Sequence, residues 1–317
     1  MKIVFMGTPD FSVGALKALI VAGHDITAVV TQPDKAKGRS GKPSYSPVKE
    51  YALAANIPVL QPIRIREAAA VEELREFEAD VFVVAAFGQI LTKEILDMPR
   101  LGSLNIHASL LPQYRGASPI QWAVINGDEK TGITIQQMNE GVDTGDILYQ
   151  KEIIIDKKET GESLFDKLSV LGAEAIVEAL SLLEAGKLVP VPQREEDATH
   201  TVRLKKSMGK IDWTKSAAEI ERLIRGLNSW PSAYTFFEGK QLKIWEAEVD
   251  KSSGMVSEKD KGDKPNPGTV LAIEKDRFAI LCGTGILWIT SLQLEGKKRM
   301  NTHDFLLGNK ISAGMMF

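Results

Sequence analysis

The sequence predicts an α/β protein with a Rossmann-like open, mostly parallel sheet and a second, smaller OB-like β-barrel domain. Three observations predict it. Over the first half, apolar runs of strand length alternate with amphipathic stretches of helix length, beginning with residues 2–7 and 11–20. The run 80–88, Asp-Val-Phe-Val-Val-Ala-Ala-Phe-Gly, is apolar on both faces, which is how a central parallel strand reads. Beyond residue 205 the pattern changes to several short strand-like runs and one helix, the pattern of a small open barrel.

A chain of 317 residues is long for one core and comfortable for two domains, and 44% hydrophobic with 26% charged residues excludes disorder of the whole. The expected division is a catalytic domain at 1–188, a linker at 189–205 and a C-terminal domain at 206–317. The linker carries Pro190, Pro192 and a run of charges. From Arg203 onward Lys and Arg number 19 against 14 Asp and Glu, leaving 20 against 28 ahead of it, so the front is net −8 and the rear +5. That asymmetry suits a catalytic body joined to a domain facing a polyanion, and equally suits ordinary solvated charge. Cys282, the single cysteine, lies in an apolar run and reads as a buried structural thiol. No apolar run reaches the length of a signal core or a membrane span, so a cytoplasmic protein with no membrane partner is expected, as a monomer.

The opening reads as a βαβ unit: strand 2–6 closed by Gly7, a helix ended by Gly23, and strand 26–30. The turn Gly7-Thr8-Pro9-Asp10-Phe11-Ser12 lacks the glycine triplet of a dinucleotide site, and no phosphate-loop lysine signature occurs. Residues 32–43 form a long loop holding Lys35, Lys37, Arg39 and Lys42, suited to a phosphate backbone or simply to solvent. A helix from Pro47, a short strand at 57–60 and a helix over 68–77 lead to the central strand. Ser118 followed by Pro119 fits an N-cap with proline at the first helical position. Strands at 131–138 and 148–154 form a hairpin, and a leucine-striped helix over 163–186 covers one sheet face.

The chemistry gathers around Ser103-Leu-Asn105-Ile-His107-Ala-Ser109-Leu-Leu-Pro112, where an apolar strand ends with polar residues alternating out of it. Asn105, His107 and Ser109 share a face by the two-residue strand repeat. An amide beside an imidazole at a strand end is a plausible acyl-transfer pair, the amide donating to a developing oxyanion and the imidazole moving a proton. Residues 140–146, Glu-Gly-Val-Asp143-Thr-Gly-Asp, set carboxylates between glycines on a loop able to reach that imidazole. The loop around Gln89, at the end of the central strand, should face the same crevice.

These segments, with Tyr114-Arg115-Gly116-Ala117-Ser118-Pro119-Ile120-Gln121, resemble the formyltetrahydrofolate-dependent formyltransferases. Phe5-Met-Gly-Thr-Pro-Asp-Phe11, Thr31-Gln-Pro-Asp34, Ser46-Pro-Val-Lys49, Lys210-Ile-Asp-Trp213 and Gly226-Leu-Asn-Ser-Trp-Pro231 resemble the branch acting on charged initiator tRNA. One departure is Ser229, where that family often has proline. The resemblance implies transfer of the formyl group of 10-formyltetrahydrofolate, a co-substrate, to the α-amino group of methionyl-initiator tRNA, with no metal. It further implies Asn105, His107 and Asp143 as catalytic residues. Ser109, Leu110, Leu111 and Pro112, with Phe87, Gly88, Gln89 and Ile90, are implied to line the folate site. The tRNA would be met by Phe11 and by Lys35, Lys37, Arg39 and Lys42, with the second domain supporting the rest. Phe11 fits plain helix packing equally well, Lys297-Lys298-Arg299 fits a phosphate patch or a solvated turn, and His24, His200 and His303 read as structural or surface residues.

Overall fold

The computed structural model describes residues 1–36, 43–251 and 265–317. The chain packs into two units. The first comprises Met1–Pro119, Lys130–Ile154 and Phe165–Val202, and the second Ile120–Glu129, Ile155–Leu164 and Arg203–Phe317.

The alternation of apolar and amphipathic segments produces β1 (Lys2–Gly7), α1 (Asp10–Val21), β2 (Asp25–Val30), the two-residue strands β3 (Lys35–Ala36) and β4 (Pro43–Ser44), α2 (Pro47–Ala54), β5 (Val59–Leu60), α3 (Ala68–Arg75), β6 (Val81–Ala85), α4 (Lys93–Leu96) and β7 (Ser103–His107). There follow β8 (Arg115–Gly116), α5 (Pro119–Asn126), β9 (Lys130–Gln137), β10 (Ile147–Ile154), α6 (Gly161–Glu184) and β11 (His200–Thr201). The main sheet runs β10-β9-β7-β6-β1-β2-β5. Its members from β7 to β5 are parallel, and the β9–β10 hairpin adds two antiparallel strands beside β7. The chain leaves β1 in one direction to β2 and β5 and in the other to β6 and β7, so the sheet has a switch point beside β1 and ligand-binding loops belong at the carboxyl ends of these strands. All five residues of β6 are buried, as its two-faced apolar run requires. Val4, Met6, Val30, Phe82, Val84 and Phe87 pack with Leu74, Leu91 and Ile95 into one core layer. No helix among the described residues is long and apolar enough to cross a membrane.

In the second unit, α7 (Ala217–Gly226) opens on a reciprocal capping box between Ser216 and Glu219. Then come β12 (Ala233–Phe237), β13 (Lys240–Val249), β14 (Val270–Ile273), β15 (Phe278–Leu281), β16 (Ile286–Leu294), β17 (Met300–Asn301) and α8 (Thr302–Gly308). The sheet is antiparallel in the order β12-β13-β16-β15-β14, with β17 on β16. Phe237, Ile244, Val270, Ile280 and Ile289, one from each strand of that path, meet Ile220, Ile224 and Phe305 in a single apolar core, as a curled sheet demands.

Three local features differ from the sequence reading. The chain around α5 and the segment Ile155–Leu164 pack with the C-terminal part, because Arg222 Nε donates to the Ile125 carbonyl at 3.2 Å and Arg225 Nη1 to the Glu159 carbonyl at 2.6 Å. Ser118 has φ 62°, the left-handed region, where an N-cap residue is extended. The stretch with linker composition is bonded along the first unit: Val191 bridges Ile147, and β11 pairs in parallel with β8. Backbone pairing of this kind leaves no trace in composition.

Candidate active site

Strand β7 delivers Asn105 and His107 to the carboxyl edge of the sheet between two neighbours. Parallel β6 places Val84 beside Asn105, and antiparallel β9 places Gln136 beside Asn105 and Thr134 beside His107. Cross-strand partners share a face, so the amide and imidazole arrive with a second amide and a hydroxyl alongside. Asp143 comes from the loop between β9 and β10. That loop is folded on itself by Asn139, whose Oδ1 accepts from the Gly141 amide at 3.0 Å and from Thr144 Oγ1 at 2.8 Å.

The three residues converge. Asp143 Oδ1 accepts from Gln136 Nε2 at 2.9 Å and lies 3.4 Å from Asn105 Nδ2 and 3.6 Å from His107 Nδ1. Its Oδ2 accepts from the Gly116 amide at 2.9 Å. His107 Nε2 lies 3.0 Å from the Tyr114 carbonyl. A carbonyl can only accept, so that nitrogen carries a proton and Nδ1 is the one turned to the carboxylate. The side chains of His107 and Asp143 are 7% and 17% exposed, so their interaction is weakly screened. Asp143 itself has φ 54°, in the left-handed region, which is uncommon for L residues and more accessible to Asp than to most.

The turn after β7 is bonded just as firmly. Thr134 Oγ1 donates to the Ser109 carbonyl at 2.7 Å and accepts from the Leu111 amide at 3.0 Å. Gln150 Nε2 donates to the Leu111 carbonyl at 3.0 Å, and Ser109 Oγ donates to the Gln113 carbonyl at 2.6 Å. Ser109 and Leu111 are buried; Leu110 and Pro112 are partly exposed. The loop after β6 leaves the same sheet edge. There Phe87 is buried and its carbonyl accepts from Thr8 Oγ1 at 3.2 Å and Gln32 Nε2 at 3.1 Å, while Gly88 and Ile90 are exposed. Gln89 turns its amide to the Pro62 carbonyl and the Ile65 amide. Below this loop Asp34 is held by Lys49 Nζ at 2.6 Å and Gln61 Nε2 at 2.8 Å, and these two bonds, the lysine's first, lower its carboxyl below the ordinary value.

Of the residues expected to meet tRNA, Phe11 is 6% exposed with its ring edge-on to Phe165 at 5.6 Å, so its ring is committed to packing α1 on α6. Lys35 lies on β3, and Lys37, Arg39 and Lys42 fall outside the described residues. Gln136, Thr134, Gln150, the Gly116 amide and Gln193 join the site without a mark in the sequence. The alternation of 131–138 put Gln136 and Thr134 on one face, but only the register with β7 brings them to Asn105 and His107.

A part-buried amide, an imidazole and a carboxylate around one point, with no activated side-chain nucleophile beside them among the described residues, suit transfer of an acyl group between two bound substrates. Residues 1–180 match the formyl transferase family and 203–310 the formyl transferase C-terminal domain. The chain belongs to the formyl transferase family. The methionyl-tRNA formyltransferase of Lachnospira eligens is 57% identical over 317 residues, 100% of this chain and 99% of that protein. That of Agathobacter rectalis is 54% identical over the same span. Among solved structures, WlaRD, a sugar 3N-formyl transferase studied in the presence of dTDP and 5-N-formyl-THF, shares the fold with a TM-score of 0.65 at 20% identity, over 94% of this chain and 99% of that one. Asn105, His107 and Asp143 all lie inside the formyl transferase match, whereas Gln193 lies between its two parts.

Proposed function

We propose that this protein transfers the formyl group of 10-formyltetrahydrofolate to the α-amino group of methionyl-initiator tRNA, giving formylmethionyl-tRNA. The observation that carries this reading is the meeting of Asn105, His107 and Asp143 on one carboxyl edge of the sheet. It is supported by full-length relatives at 57% and 54% identity that are methionyl-tRNA formyltransferases. The co-substrate supplies the formyl carbon and leaves once its own nitrogen–carbon bond has broken. Gln136 fits such a ligand: its Oε1 is buried without a protein partner, on the amide whose Nε2 holds Asp143, and so is an acceptor left for a substrate N–H.

The residues divide the work by their chemistry. Asn105 Nδ2 is a donor for the carbonyl oxygen as it gains negative charge under attack by the neutral amine. His107 takes the proton that the amine sheds on forming its new bond to the formyl carbon and returns it to the departing nitrogen. Asp143 holds the imidazole and, through Oδ2 on the Gly116 amide, fixes its own place. The turn 109–112 and the loop 87–90 are the proposed folate walls. The basic loop from Lys35 to Lys42 is the proposed contact with the tRNA acceptor end, and the C-terminal domain carries the rest. The proposed acting form is a cytoplasmic monomer. The test is a transfer assay with 10-formyltetrahydrofolate and charged initiator tRNA, run beside a small sugar amine. Formylation of the tRNA by the wild type and its collapse in His107→Ala are expected; preference for the sugar amine would overturn the reading.

A further inference from the structure

Residues 191–201 are laid along the catalytic loops as a strap. The Thr199 amide donates to the Pro112 carbonyl at 3.2 Å, Thr199 Oγ1 accepts from the Tyr114 amide at 2.8 Å, and the Thr199 carbonyl accepts from the Arg115 amide at 2.8 Å. The strap therefore grips the turn whose Tyr114 carbonyl receives His107 and whose Gly116 amide binds Asp143. From its other part Gln193 reaches the second catalytic segment, its Nε2 donating to the Asp143 carbonyl at 2.9 Å and the Gly145 carbonyl at 2.6 Å.

The orientation of the Gln193 amide is dictated by its neighbours. Arg115 Nε, which can only donate, meets Gln193 Oε1 at 2.9 Å. The two loop carbonyls can only accept, so they must face Nε2. Arg115 is in turn fixed: its guanidinium is 1% exposed and Nη1 reaches both oxygens of Glu195, at 3.0 and 2.8 Å.

We infer that Gln193 is a positioning residue for the transfer reaction, clamping the carbonyls on either side of Thr144 so that Asp143 keeps the left-handed backbone that aims its carboxylate at His107. Arg115 sets the clamp by holding the far end of the amide. The inference rests on the transferase reading for its effect on rate, and on hydrogen bonding alone for its effect on the loop. Glutamate at this place would satisfy Arg115 and repel both carbonyls, so Gln193→Glu separates the clamp from mere occupancy of the space. Gln193→Met keeps the length and removes both bonds.

The experiment measures steady-state transfer and amide hydrogen exchange on wild type, Gln193→Met and Gln193→Glu. Both variants are expected to lose about tenfold or more in kcat with KM for either substrate within about twofold, the signature of a group that acts on the transition-state geometry. Exchange should quicken across 139–146 and stay unchanged in β1 and β6. An unchanged kcat with unchanged exchange overturns the inference, as does a rate loss in Gln193→Met that is absent from Gln193→Glu. If the wild type fails to formylate charged initiator tRNA, the transferase reading falls, while exchange across 139–146 still decides whether Gln193 holds the loop.

Discussion

His107 Nδ1 stands 3.6 Å from Asp143 Oδ1, while the opposite ring nitrogen is tied to the Tyr114 carbonyl at 3.0 Å. Both nitrogens thus face acceptors. The Tyr114 carbonyl is at hydrogen-bond distance, and the carboxylate stands just beyond it. Replacing Asp143 by Asn keeps the shape but sets an NH₂ group against the donors from Gln136 or Gly116. Asp143→Asn and His107→Ala should each lower kcat by roughly 10²–10⁴-fold, the span typical of general acid–base groups. A saturating-substrate transfer assay checks this, with circular dichroism to show that the fold is retained.

Gln136 has effects of opposite sign on rate and stability. Its Nε2 bond to Asp143 is to a charged group, worth about 1.5–3 kcal/mol, whereas its Oε1 is buried and unsatisfied. Gln136→Met, close in volume, removes both. The expected result is a kcat lower by roughly tenfold or more, with a melting temperature that holds or rises. Parallel losses in rate and melting temperature would show that the amide is part of the core and not a prop for Asp143.

Much of this site is legible in the residues, and what is not has a physical cause. The strand-end pair Asn105 and His107 declares itself through the two-residue repeat, and Asp143 through its glycine-flanked loop. The buried run of β6 marks the centre of the sheet. Gln136 is invisible because its role depends on which residue of β7 it faces, and pairing register is a long-range property. Gln193 is invisible for another reason. It sits among prolines and charges that read as solvated, and its function resides in one amide reaching carbonyls of a distant loop. Phe11, which in the sequence fits helix packing and a ligand contact equally, has its ring edge-on to Phe165.

Gly145 is demanded by sterics. A Cβ at this position would lie 1.7 Å from the Gln137 carbonyl oxygen and 3.3 Å from Met138 Cα, so the loop must move to admit it. Gly145→Ala should cost about 1–3 kcal/mol in stability and displace Asp143, lowering transfer well beyond what the stability loss explains. Gly308, where a Cβ would meet nothing within 4 Å, is the control, and Gly308→Ala should leave activity unchanged. The assay is the initial transfer rate at a temperature where both variants are folded.

The acid limb of stability should carry a contribution from Asp34. Its hydrogen bonds from Lys49 and Gln61 hold the carboxyl below its ordinary 3.8. A group with a lowered folded pKa stabilises fully above its unfolded value, and that stability disappears as pH falls through the folded one. Asp34→Asn should therefore lower the melting temperature at pH ~6 and converge on wild type as the pH falls through the lowered value of Asp34. Equal melting temperatures at neutral pH, or a gap that widens in acid, would contradict the assignment.

Cys282 is 2% exposed in the core of the second unit, and burial pushes its thiol up to about 12. The thiolate is the reactive form, so at neutral pH the native protein offers a reagent neither the species nor access to it. Labelling by a thiol-specific chromogen should be negligible in buffer and complete in denaturant, with intermediate rates following the unfolding curve. The sign of the linkage gives a second measurement. A thiol raised on folding contributes its stability in full below the unfolded value of 9.0, and loses it as pH climbs toward about 12. Cys282→Ala, which has no thiol to ionise, should therefore show a shallower decline in stability above pH ~9 than wild type, on top of a uniform loss of about 1 kcal/mol or more for the smaller side chain. Rapid stoichiometric labelling of the native protein at pH ~7 would place the sulfur in solvent and remove the basis of both expectations.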